Sequence, residues 1–345
     1  SRLVSFDVVL PWSEPGEIAL GSARTLGTER GLPERPGAVA YRLSDASLLI
    51  ATIVAWVGGV ILARRNMRGK RGDRRGAYQI AVFLFVILIG EWLLAANHVA
   101  SLQNEWDLLM AGMGHALFWA ISVWIVYMAL EPYVRRRWPQ VLISWTRLLR
   151  GGFADPLVGR DLLIGILFGI GVHLMVRVEY LVPLLFGRPL PPPLAGGFPN
   201  LAPARLFAST VLRAQFAGLR DALGVLFLLL LVRVLIRRQA IAVGVLALAF
   251  SFVVLFWVEP LFVYWPLAIL RATFWILLTL RVGLLAGVVA MTVWYELVQL
   301  PLRLDTAWLA GPTLFILLLF VALIFYGFRT TLAGQPFFGA TPLDE

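Results

Sequence analysis

The chain has 345 residues, of which 60% are apolar and only 14% charged, with a formal net charge of +10. Soluble domains run at about 45–50% apolar and about 25% charged residues, so this chain lies outside the soluble range. It has no cysteine, which excludes disulfides, thiolate metal sites and a cysteine nucleophile.

Nearly all of the positive charge is arginine, Lys70 being the one lysine, and the arginines collect at the ends of apolar runs. That is the positive-inside pattern rather than a nucleic-acid-binding face, and no nucleic-acid partner is expected. Runs such as Ala81–Ile89, Val225–Leu231 and Leu314–Tyr326 carry no charge and do not alternate polar with apolar residues. Barrel strands would alternate, so the runs predict bilayer-spanning helices. The expected fold class is all-α: a polytopic integral membrane helical bundle of about nine spans, with a short extracytoplasmic β/loop segment at the N-terminus.

Residues 1–45 are that segment. The chain begins at Ser1, with no visible signal peptide. Leu3–Leu10 reads as a strand ended by Pro11, and Glu14–Arg42, rich in Gly, Pro and Glu, reads as loop. One strand cannot make a domain, so the start reads as the tail of something longer or as a segment that needs a partner sheet. Residues 46–130 hold the first three spans, Ala46–Ala63, Ala77–Ala96 and Asp107–Leu130, with a basic cytoplasmic loop over 64–76. Glu131-Pro132 and Arg135–Arg137 close the third span. Residues 131–160 are expected as a cytoplasmic interfacial segment. Within it Leu142, Trp145, Leu148 and Leu149 share a face, and Arg147 and Arg150 lie off it.

Residues 161–328 hold six further spans: Asp161–Leu185, Asp221–Ile236, Ala240–Val258, Trp265–Leu280, Val282–Leu300 and Trp308–Phe328. An extracytoplasmic loop and helix occupy 186–220. Pro191–Pro193 stiffen the loop as polyproline II, and Ala204–Arg220, carrying Arg205, Arg213 and Arg220, runs into the fifth span. The seventh and eighth spans abut, which allows a broken or re-entrant pair. Residues 329–345 are a cytoplasmic tail.

Arginine asymmetry sets the orientation. With the basic loop inside, the inner segments hold 18 Lys/Arg: seven in 64–75, six in 135–160, three in 233–238, and Arg281 and Arg329. The outer connections hold 5: Arg188, Arg205, Arg213, Arg220 and Arg303. The bias predicts an N-terminus outside and a C-terminus in the cytoplasm of a bacterial inner membrane.

Soluble catalytic signatures are missing: there is no P-loop, no kinase V-A-I-K, H-R-D or D-F-G element, no G-x-S-x-G and no H-E-x-x-H. Gly112/Gly114 and Gly169/Gly171 read as helix-packing glycines. The three histidines, His98, His115 and His173, share no motif, so no metal or other cofactor is expected. Polar residues inside the spans are the best remaining signal, because lipid makes them costly. Glu91, His115, His173 and Arg177 form the candidate intramembrane cluster, expected to face the bundle interior. His173 and Arg177, four apart on one face, are the expected partners of Glu91 from another span. Glu179 points elsewhere, and Glu296 lies near the outer end of the eighth span. Such residues serve either a proton, ion or ligand path, or plain interhelical pairing. Arg64, Arg65, Arg68, Lys70, Arg135, Arg136 and Arg137 are candidate contacts to lipid headgroups.

Several stretches carry a family resemblance, in order and over nearly the whole chain. They are Val4–Pro15, Ala63–Ala77, Leu130–Arg150 (with E-P-Y-V-R-R-R-W-P), Phe153–Gly165, Arg281–Leu285, Leu300–Gly311 and Tyr326–Glu345. Together they resemble the membrane-embedded C-terminal half of large bacterial serine/threonine protein kinases of Acidobacteria-like lineages. In that family a cytoplasmic kinase domain precedes a span and an extracytoplasmic region, which then enters the membrane block. The kinase domain itself is missing from this sequence, so no catalytic residue carries over. The resemblance implies a non-catalytic multi-pass module: the anchoring and sensory portion of a receptor-type kinase, or a stand-alone accessory subunit of a membrane complex. Its expected partners are the lipid bilayer and other proteins. The rivals are a transporter or channel using Glu91, His115, His173 and Arg177, and an intramembrane enzyme, for which no nucleophile or metal cluster is visible.

Overall fold

The structure, a computed structural model, describes residues 53, 56–98, 100–185, 187, 204–255, 261–299 and 307–333. The expected strand at 3–10, the N-terminal loop, the proline-rich loop and most of the tail lie outside the described residues. All regular structure among the described residues is helical. The helices are α1 (56–68), α2 (Arg74–Ala95), α3 (Leu102–Arg137), α4 (Ile143–Leu149) after a 3-10 turn at Pro139–Leu142, α5 (Pro156–Leu185), α6 (Ala204–Ile236), α7 (Gln239–Leu255), α8 (Leu261–Arg281), α9 (Leu284–Gln299) and α10 (Ala307–Thr331).

Four of these are long and apolar enough to cross a bilayer on their own: α2, α3, α5 and the Ala310–Thr331 part of α10. α7 and α9 are shorter apolar helices. The outward faces are greasy. Leu167, Leu174, Val178 and Leu181 on α5, and Leu314, Phe315, Leu318, Val321 and Phe325 on α10, are all exposed. A shell of this kind suits hydrocarbon rather than water.

Helix ends meet at one end of the bundle. Asp73 caps α2 by accepting from Gly76 N–H at 2.9 Å, and Asp73 N–H donates to Glu131 of α3 at 3.2 Å. Trp138, just past α3, donates to Gln239 at the start of α7 (3.4 Å). Asp155 caps α5 ahead of Pro156 at its first position, accepting from Leu157 N–H at 2.9 Å. Ser144 of α4 donates to Asp161 of α5, beside which sits Gly283 in the α8–α9 turn. Tyr326 of α10 reaches Phe153 O. The described parts of the segments expected inside thus gather at this basic end.

Several boundaries differ from the sequence reading. α3 does not stop at Leu130 but runs through Pro132 to Arg137, so residues 131–137 belong to a helix rather than to an interfacial segment. A proline inside a helix removes the amide that would bond the carbonyl four residues back, here Met128 O. Asn66 at the end of α1 fills that gap, donating from Nδ2 to Met128 O (2.9 Å) and Ala129 O (3.1 Å). The helix therefore continues where an isolated sequence would break. α5 starts at Pro156, five residues ahead of the expected Asp161, and α3 starts at Leu102. The interfacial element shrinks to the 3-10 turn and α4, which put Leu142 and Trp145 in the core and Arg147 and Arg150 outside. α6 is one continuous helix through the outer segment and the fifth span, as expected.

α8 and α9 form a tight antiparallel pair. Gly283, at φ +152°, makes the turn, a conformation that L side chains avoid. Beyond it Gly287 lies against Thr279, and Trp294 meets the Trp275 ring at 6.4 Å. α9 is clasped between α5 and α6. Side by side in the same direction, Gly165 of α5 faces Ala286 and Val289, and Gly169 faces Ala290 and Val293. On the other flank Gly218 of α6 meets the backbone of Thr292.

The four G-x-G glycines separate into two kinds. A methyl on Gly169 would meet Ala290 O at 2.6 Å, and one on Gly112 would meet the Trp92 ring at 2.6 Å, while Gly114 and Gly171 have open space. Reading all four as packing glycines is therefore corrected for Gly114 and Gly171. Gly169→Ala is expected to cost about 1–3 kcal/mol through overpacking. Gly171→Ala, two residues away, is expected to leave stability unchanged or slightly raised. Thermal melts of the two variants in one detergent check the contrast.

Candidate functional site

Glu91 lies in the last turn of α2 and is buried, 7% exposed. Its partner is not on α5. Arg213 of α6 reaches it with two nitrogens, Nε–H donating to Oε1 at 3.0 Å. α2 and α6 are antiparallel here: Gly90 faces Leu212, and Arg205 lies where α2 ends. Arg205 donates to Leu94 O (2.8 Å), Ala96 O (3.1 Å) and Asn97 Oδ1 (3.3 Å). It thereby covers the carbonyls a helix leaves unpaired at its C-terminus, where a cation also suits the macrodipole.

Arg220, two turns below Arg213, continues the series. Its Nε–H donates to Asp221 at 2.6 Å, and Asp221 accepts at its other oxygen from Tyr295 OH of α9, also at 2.6 Å. The guanidinium lies over the rings of Phe216 (5.3 Å) and Trp119 of α3 (5.7 Å), a cation–π arrangement. His115 joins only by ring contacts, 6.5 Å from Trp119 and 6.4 Å from Phe216.

The expected cluster of Glu91, His115, His173 and Arg177 does not come together. His115 and Arg177 are exposed on the outside of the bundle. Arg177 donates from Nε–H to His173 Nε2 of its own helix at 3.1 Å. His173 is buried. Pairing of Glu91 with His173 or Arg177 is corrected: spacing along a helix reports a shared face, and α2 meets α6 across that face. Glu179 points elsewhere, as expected, and finds Arg271 of α8 at 2.6 Å. Arg213, Arg271, Asp221 and Tyr295 were not identified from sequence as the partners of these groups. The signal available was three arginines at spacings of eight and seven along Ala204–Arg220, directly ahead of an apolar run.

Of the candidate headgroup contacts, Arg64, Arg65, Arg68, Lys70, Arg135, Arg136 and Arg137 are all exposed at the basic end. Arg135 also pairs with Glu131 at 2.6 Å. Two open concavities lie away from the buried charges. One of about 570 Å³ is lined by Ala154, Pro156, Tyr326 and Arg329 at the basic end. The other, about 460 Å³, is lined by Trp92, Leu102, Glu105 and Trp106 at the opposite end.

Fold and site together define an all-helical, multi-pass membrane protein stitched by interhelical ion pairs. No protein-family model, curated protein or solved structure matches the chain.

The Glu91–Arg213 pair gives a test of stability. Arg213→Leu leaves the buried Glu91 carboxylate without its donor, which costs about 1–3 kcal/mol, whereas Glu91→Leu frees an exposed arginine and is expected to cost less. The double variant is expected to recover part of the Arg213→Leu loss, and Arg177→Leu, whose partner His173 is no carboxylate, to lose less than Arg213→Leu. A double-mutant cycle of melting temperatures in detergent reads the coupling.

The α2–α3 turn gives a test in pH. His98 Nδ1 meets Glu105 Oε2 at 2.8 Å and Nε2 meets Leu93 O at 3.3 Å. Both ring nitrogens face oxygen acceptors, so the doubly protonated ring fits best, and the hydrogen bond to Glu105 raises the His98 pKa above its ordinary 6.5. A raised folded value means the clamp is fully present below pH 6.5 and is lost as pH rises through the folded value. The imidazole NMR signals of the three histidines are expected to show His98 titrating above 6.5, and Glu105→Gln to bring it back down.

Proposed function

We propose that the chain is a non-catalytic multi-pass membrane module. In this reading it is the anchoring and sensory portion of a receptor-type serine/threonine kinase, or a stand-alone accessory subunit of a membrane complex. It sits in the bacterial cytoplasmic membrane with nine crossings, its N-terminus outside and its C-terminus in the cytoplasm. The observation that carries the non-transporting reading is the state of the buried charges. Four of the five buried carboxylates among the described residues, Glu91, Glu131, Asp161 and Glu179, are each closed by an arginine. Charges closed on one another leave little to coordinate a passing ion, and two of the pairs, Glu91–Arg213 and Glu179–Arg271, also join different helices. The transporter alternative needed Glu91, His115, His173 and Arg177 around one cavity, and their separation takes away its support. The resemblance to kinase membrane regions supplies the anchoring role, and the gathering of arginine-rich segments at one end supports the orientation.

The chain has no cysteine, so introduced thiols report without background. Cysteines replacing Ser13, Ala195 and Thr306 are expected to react with a membrane-impermeant thiol reagent in intact cells. Those replacing Gly72 and Thr341 should react only after lysis. Labelling at Gly72 in intact cells would reverse the topology and, with it, the cytoplasmic placement of the basic end.

A further inference from the structure

Glu296 is the fifth buried carboxylate and, among the described residues, has no arginine. It is 1% exposed, and neither of its oxygens has a hydrogen-bond partner. Beside it lies the side-chain amide of Gln215 of α6, a donor near enough to interact though it does not complete a hydrogen bond. The surroundings are tight and apolar. Val293, one turn before it, and Leu297, the next residue, belong to a cluster with Ile166 of α5 and with Ile316 and Phe320 of α10. Gly169 and Gly218 bring α5 and α6 onto the α9 backbone at this level.

Among the described residues, the charges around it already have partners or lie at the far end. On α6, Arg213 holds Glu91, and Arg220 holds Asp221, which also takes the Tyr295 hydroxyl. On α8, Arg271 holds Glu179 of α5. On α10, Arg329 lies at the far, basic end. On α5, Arg177 donates to His173. That bond fixes the His173 tautomer: Nε2 accepts, so the ring proton sits on Nδ1, which is buried without a partner. The α5–α9 register sets Gly169 against Ala290 and Val293, so His173, one turn on, reaches the level of residues 294–297.

We propose that Glu296 is a proton-binding site at the junction of α5, α6 and α9, with Gln215 beside it and His173 at its level. An ionised carboxylate without a cation is far costlier to bury than a neutral acid, and one amide beside it does not offset that cost. The proton is the ligand this geometry accepts: the group is buried among close-packed helices with an amide, and no cation among the described residues, beside it. Releasing the proton places an uncompensated charge on α9 where α9 is clasped most closely, so proton release loosens α9 from α5 and α6. The site stands apart from the anchoring role and does not depend on a kinase domain.

The test uses the purified full chain in an ester-free detergent, where lipid carbonyl bands do not interfere. Infrared spectra at neutral pH are expected to hold a protonated-carboxyl C=O band that Glu296→Gln removes. On raising the pH, wild type is expected to lose the band and melting temperature together, while Glu296→Gln keeps its melting temperature over the same range. Absence of the band from wild type at neutral pH overturns the proposal, even where the variant fails to fold. A band that survives in Glu296→Gln, or identical pH dependence of melting in the two proteins, overturns it as well.

Discussion

Helix α6 is the spine on which the bundle is ordered, and its three outer arginines do the ordering. Each is committed to a different group: Arg205 to the carbonyl end of α2, Arg213 to Glu91 one turn before that end, and Arg220 to Asp221, with the ring of Trp119 on α3 against the guanidinium and the hydroxyl of Tyr295 on α9 against the carboxylate. In hydrocarbon one apolar helix face is as good as another, so burial alone does not choose neighbours. A guanidinium that must find a carboxylate or carbonyl does choose. The positions of α2 and α3 around α6 follow from these contacts, and Tyr295 adds a tie to α9, which Gly218 already brings against α6.

The other half of the bundle uses a different device. Along α5, Gly159, Gly165 and Gly169 open the way for α10 and α9 to approach backbone to backbone, with Gly327 completing the contact from α10. Close approach gains dispersion contacts over long stretches without any polar group. The ion pair between Glu179 and Arg271 then adds α8 to α5. Polar contacts set the neighbours of α6, and small residues set those of α5.

The helical nature of the chain, the continuity of α6 and the gathering of basic segments at one end were legible in the sequence, because apolar run length and arginine position are local properties. Pairings were not. Glu91 and Arg213 are 122 residues apart and Glu179 and Arg271 92, and spacing within one helix says nothing of which neighbour its face will meet. The inward orientation expected of His115 failed for a related reason: α3 is apolar nearly all round, so its sequence holds no signal of which side faces the core. Pro132 reads locally as a stop, and only Asn66, more than 60 residues earlier, turns it into an interior position. Deeper readings such as the outer β/loop segment fall on residues outside those described.

Buried carboxylates pose a question that stability alone does not answer. Replacing a buried ion pair by apolar residues of similar volume is often neutral or stabilising, so the pairs here are poorly explained as glue. They are better explained as address labels. Glu91 marks α2 for α6, Glu179 marks α5 for α8, and Asp161 marks α5 for α4 through Ser144. Glu131 joins α3 to the start of α2 in the same way. Each label consists of a carboxylate and the specific donor that answers it. Glu296 has no answering cation among the described residues, only the Gln215 amide beside it, and the glycines at 169 and 218 already fix α9 in place. A carboxyl group that neither stabilises nor addresses its helix is accounted for by what remains to a carboxyl group in such a place, the binding and release of a proton.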